Sequence, residues 1–87
     1  MRVLDIEPAE LYKTSDLYFA AFLKAAGLDL LTSEVLDKKV LFVFERVDLI
    51  KDLKREYFNR TARVPALTFV DEIRSLKALT HMTREGS

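Results

Sequence analysis

The sequence predicts a small α+β domain, in the order α-β-β-α-α, with helices packed on a short antiparallel hairpin. Three observations carry this. An apolar stretch, LYFAAFL at 17–23, lies between cap-forming residues and Gly27. A β-branched and aromatic run, KVLFVFE at 39–45, is preceded by polar residues. Two later segments repeat apolar residues at three- and four-residue spacing. With 87 residues the chain fits one domain, its ordered core expected over about 11–80, large enough to bury a core without metal or disulfide staples. At 49% hydrophobic and 32% charged residues, it is too apolar to stay disordered.

Val3-Leu4-Asp5-Ile6, before Pro8, is read as a possible extra N-terminal strand, and Tyr12-Lys13 as extended. Thr14 or Ser15 is expected to cap a helix over residues 15–26, with Asp16 set favourably against the helix dipole. Gly27 supplies the left-handed stop. Strands follow at 28–36 and 40–45, joined by a turn at Asp37-Lys38-Lys39. Asp48 is expected to cap a second helix running to Phe58. There Leu49, Ile50, Leu53 and Tyr57 share one arc, and Lys51, Lys54 and Arg55 lie opposite. After a loop at 60–64, Pro65 suits the first position of a third helix. Its stripe is Ala66, Phe69, Val70, Ile73 and Leu76, and its end falls between Leu79 and Met82.

The second strand points Val40, Phe42 and Phe44 to one side and Leu41 and Val43 to the other, so both faces want cover. Either helix 1 covers one face and helices 2 and 3 the other, or one face meets a second copy of the chain. Helix 1 also has two sides. Tyr18, Phe19, Phe22, Leu23 and Ala26 form a bulky core arc, while Ala20, Ala21, Lys24 and Ala25, with Leu17, form the rest. The alanine side is expected to meet water, another helix of the same chain, or a second molecule. Leu41, Val43, Ala20 and Ala21 are therefore the candidates for self-association.

Several chemistries lack their residues. With no cysteine there is no disulfide, thiolate ligand or cysteine nucleophile. The single histidine, His81, reads as a solvated helix-end residue, and carboxylates alone match zinc poorly, so no metal is expected. Neither GxxxxGK[ST] nor GxGxxG occurs, so no nucleotide cofactor and no small-molecule substrate is evident. Asp71-Glu72 point apart on a helix, and Asp48 and Asp52 read as a cap and a solvated residue. No catalytic residue is expected. Asn59-Arg60-Thr61 matches a glycosylation triplet by chance, since no secretion signal or membrane-length apolar run appears; the expected location is cytoplasmic.

Lys plus Arg and Asp plus Glu are both 14, so attraction to nucleic acid would have to come from a local patch. KDLKREYFNRTAR at 51–63 provides one: Lys51, Lys54, Arg55, Arg60 and Arg63 surround Phe58, a pattern that can hold phosphates while stacking a base. The plainer reading is a solvated face with Phe58 turned into the core.

The residues Tyr12-Lys13-Thr14-Ser15-Asp16, Ala20-Ala21, Gly27, Phe42-Val43-Phe44, Tyr57-Phe58-Asn59, Val64, Phe69 and Leu76-Lys77 give the chain a family likeness. Over about residues 11–80 it resembles a family of small prokaryotic and phage-associated proteins catalogued only as a domain of unknown function. The resemblance implies one compact domain and a prokaryotic source, and it transfers no catalytic residue, cofactor or substrate. Taken together, the residues predict a non-enzymatic interaction module, a homodimer through apolar surface. The alternative is a small nucleic-acid-binding accessory protein using the basic face of helix 2.

Overall fold

The computed structural model describes residues 11–45 and 47–85. The elements are β1 (Tyr12–Thr14), α1 (Leu17–Ala25), β2 (Leu30–Leu36), β3 (Lys39–Phe44), α2 (Val47–Phe58) and α3 (Ala66–Glu85). The expected order is kept, with a strand added in front. The strand expected at Val3–Ile6 lies outside the described residues. The third strand of the sheet is the segment read only as extended, with Tyr12 opposite Phe44 and Thr14 opposite Phe42. The sheet is antiparallel, in the order β1-β3-β2.

Asp16 caps α1, in place of Thr14 or Ser15: its Oδ1 accepts from the Phe19 N–H at 3.0 Å. The Thr14 hydroxyl accepts instead from the Asp16 N–H at 3.1 Å, which fixes the cap one residue later. At the other end Gly27 takes φ +104°, its N–H donating to the Lys24 carbonyl while the Leu28 N–H reaches back to that of Leu23, each at 3.0 Å. This pair of hydrogen bonds is the Schellman stop.

The hairpin turn is shorter than expected. Asp37 and Lys38 take φ of 52° and 69°, giving a two-residue loop with both residues left-handed, so that Lys39 already pairs with Leu36. At the far end of β2 the register shifts between Leu30 and Thr32, a bulge at Leu31. The α2 helix starts at Val47, so Asp48 sits inside its first turn, where the dipole favours it, and is not the cap. In α3 the first helical bond runs from the Phe69 N–H to the Pro65 carbonyl at 3.0 Å, which leaves Pro65 just outside the helix. The helix also continues past Met82 to Glu85. There His81 Nε2 and Glu85 Oε2, 3.0 Å apart on one face of the last turn, link side chains four residues apart.

The helices share one face of the sheet. Phe19, Ala20, Ala21, Phe22 and Leu23 of α1, Ile50 of α2 and Leu76 of α3 form a single core with Val40, Phe42 and Phe44. The expectation of helices on both faces is thereby corrected. On the opposite face Val43 is only 2% exposed and Leu41 is half-buried. Lys13, opposite Val43, and Glu34, opposite Leu41, meet above β3 at 2.9 Å. Their aliphatic stems can cover apolar surface while the charged ends stay wet.

The alanine side of α1 meets another helix of the same chain. α1 packs mainly on α3; Ala20 and Ala21 are fully buried, and Lys24 Nζ pairs with Glu72 Oε1 at 2.9 Å. Methyl-sized side chains let the two helices approach closely.

Candidate nucleic-acid interface

The periodicity of α2 aims its two sides differently. Ile50 is buried, and Leu53 and Tyr57 pack against the core. The remaining arc, with Lys51, Lys54, Arg55 and Phe58, is exposed. Phe58 is 64% exposed and so does not turn into the core as the plainer reading of this segment expected. One step of about 100° beyond the inward Tyr57 carries it out of the core arc.

Its ring is nevertheless held in place. Phe58 lies 6.3 Å from Phe19 at an interplanar angle of 26° and 5.3 Å from Tyr57, edge-on at 87°. Tyr57 in turn lies 5.1 Å from both Phe19 and Phe22. The ring contacts thus run unbroken from the buried Phe22 to the surface. Such pairs contribute about 0.5–1.5 kcal/mol beyond area burial, enough to orient an exposed ring without covering it. Burial, and then the nearby Asp16 carboxylate, push the Tyr57 phenol above its usual pKa, so Tyr57 stays neutral beneath the site.

The cations around Phe58 are held by different means. Lys54 Nζ lies 5.9 Å from the centroid of the Tyr12 ring, a cation–π contact. Arg55 approaches Asp52 at 3.7 Å, with both groups about 70% exposed, a weak pair at most. Lys51, Lys54, Arg60 and Arg63 make no salt bridge among the described residues. The last two are presented by the loop after α2. The Arg60 N–H donates to the Tyr57 carbonyl at 3.2 Å and the Thr61 N–H to that of Glu56 at 2.9 Å, with Arg60 left-handed at φ 62°. Ala62 and Val64 pack against the core, so Arg63 between them stands outward.

All six residues singled out for nucleic-acid contact therefore lie on the surface: Lys51, Lys54, Arg55, Phe58, Arg60 and Arg63. The self-association candidates do not. Ala20, Ala21 and Val43 are buried in the chain, and only Leu41 keeps partial exposure. The exposed apolar residues of the strands are Leu31, Val35 and Leu36, where no pattern in the sequence pointed. Tyr12 and Phe19 were also missed as supports of the Phe58 site, because they come from β1 and α1, far from α2 in sequence, and the neighbouring Tyr57 reads only as a core residue. Two clefts lie elsewhere among the described residues. One, of about 290 Å³ and bearing Asp29 and Glu45, is acidic; the other, of about 350 Å³, carries Lys39 and Arg84.

No described helix is long and apolar enough to cross a membrane. No curated protein and no solved structure matches the chain. A family model does match, across residues 9–82, which is most of the sequence. From the strand that carries Tyr12 to the last turns of α3, this chain belongs to the family described as Domain of unknown function (DUF5659).

Proposed function

We propose that the domain is a non-enzymatic interaction module that binds single-stranded nucleic acid through the outer face of α2 and the loop after it. One observation carries this reading: Phe58 is exposed, braced from beneath by Phe19 and Tyr57, and shares the outer side of α2 and its following loop with exposed cations. A base stacks on Phe58, contributing about 1–3 kcal/mol, and Lys51, Lys54, Arg60 and Arg63 hold the flanking phosphates. Binding is weak and without sequence preference, since every base offers a π-face. The setting is a prokaryotic cell, as the family resemblance implies.

The test is a gel shift or anisotropy titration with a labelled oligonucleotide at low salt. The wild type binds with a Kd of tens of micromolar or tighter, and Lys54→Glu with Arg55→Glu abolishes binding without unfolding the protein. Absence of binding to DNA and RNA under those conditions removes the proposal.

A second reading, self-association as a homodimer, is favoured by the position of β2. It ends the sheet order, has seven residues, and carries Glu34 as its only charge; among the described residues nothing pairs with its outer edge. Two copies paired antiparallel about Ser33 place Leu30 opposite Leu36, Leu31 opposite Val35 and Thr32 opposite Glu34, apolar against apolar with no like charges facing. The bulge at Leu31 limits such a ladder. Light scattering decides it: twice the monomer mass supports the pairing, and a monomer at high concentration excludes it.

A further inference from the structure

We propose that the larger cleft is a binding site for a small organic anion with an apolar body. It lies where the start of α1, the start of β3 and the end of α3 meet, and its volume of about 350 Å³ is within the range of small-molecule sites. Leu17, Val40 and Phe42 supply apolar wall, and Phe42 and Val40 belong to the core, so this part of the cleft is rigid. Lys39 and Arg84 bring two positive charges, and among the described residues no acidic side chain lines the cleft.

Neither cation is in a salt bridge among the described residues. The nearest carboxylate along the chain from Ser15, that of Asp16, is engaged with the Phe19 N–H. Thr80 also lines the cleft, but its hydroxyl is buried out of reach of a ligand, so recognition rests on the two cations and the apolar wall.

The chemistry fits one class of ligand. The planar guanidinium of Arg84 matches a carboxylate or phosphate in two parallel hydrogen bonds, Lys39 adds a point charge, and the apolar wall takes a short hydrocarbon chain or ring. Carboxylate and phosphate heads share this recognition. The site uses none of the residues around Phe58 and stands independently of nucleic-acid binding.

The experiment is a two-dimensional ¹H–¹⁵N NMR titration of the full chain with hexanoate, hexyl phosphate and 1-hexanol, each to about 10 mM. Hexanoate or hexyl phosphate is expected to shift the amide signals of Ser15, Lys39, Val40, Thr80 and Arg84, and whichever binds tighter names the head group. Hexanol, with the same apolar body and no charge, is expected to leave them in place. Arg84→Gln weakens binding by about tenfold or more, the effect of a lost charged hydrogen bond. The proposal is overturned if hexanol binds as well as hexanoate, if neither anion shifts these signals, or if Arg84→Gln leaves the affinity unchanged while the protein stays folded.

Discussion

The first two helices stop with the same pair of backbone hydrogen bonds, yet α1 places Gly27 in the left-handed position and α2 places Arg60 there. For an L-residue that conformation costs roughly 1–2 kcal/mol, and glycine avoids it. Each helix has aromatic residues inside and outside: Phe19 and Phe22 of α1 and Tyr57 of α2 are in or against the core, while Tyr18 and Phe58 are exposed, and only Phe58 stands at the stop of its helix. Where the chain only has to turn, the residue that turns at least strain is used. Where the turn displays a cation beside an exposed ring, strain is tolerated, a pattern expected of functional surfaces.

Substitutions at the two helices break or sharpen this contrast. The largest effect belongs to the interior: Leu23→Ala, at a fully buried position, is expected to cost about 2–5 kcal/mol in urea denaturation. Gly27→Ala follows, at roughly 1–2 kcal/mol; since a Cβ there meets nothing within 4 Å, the loss is purely of backbone origin. Arg60→Gly has the opposite sign, raising stability by up to about 1 kcal/mol while lowering oligonucleotide affinity. That opposition separates a stop chosen for stability from one chosen for display. Phe58→Ala changes stability by about 1 kcal/mol or less, because it removes ring contacts and leaves no buried cavity.

The smallest effect is in pH dependence. The Tyr57 phenol has a raised pKa in the folded state, so the fold binds its proton more tightly than the unfolded chain does. The stability that this contributes is present below the unfolded pKa of about 10 and is lost as pH rises through the folded value. Tyr57→Phe flattens the alkaline fall. Asp16→Asn, which keeps a capping side chain, reduces it by removing the nearby negative charge.

The sequence made the regular parts legible. The run at 17–23 with its glycine gave α1, and the three-four spacing after Asp48 gave α2 and its exposed basic arc. What escaped were features set by tertiary contact. A three-residue strand such as β1 has no period of its own and exists because Tyr12, Lys13 and Thr14 pair with β3. β3 reads as apolar on both sides, and periodicity does not say that helices take one face while Lys13 and Glu34 meet over the other. An arginine announces no left-handed turn, so although α2 ends at Phe58 as expected, its left-handed residue at Arg60 was invisible where Gly27 of α1 was plain. On a helical wheel Phe58 is one position from the core arc at a helix end, where either outcome is open. Its exposure came only with the ring geometry of Phe19 and Tyr57.

The most direct test of the Phe58 site is fluorescence anisotropy of a labelled oligothymidylate of about 15 nucleotides, titrated with wild type and with Phe58→Ala over a range of salt. The predicted result is wild-type binding that weakens with a log–log salt slope of up to about −3, as four phosphates neutralised by Lys51, Lys54, Arg60 and Arg63 would give, and about tenfold weaker binding by the variant at a nearly unchanged urea midpoint. Binding that is absent at low salt, or equal in the two proteins, contradicts it.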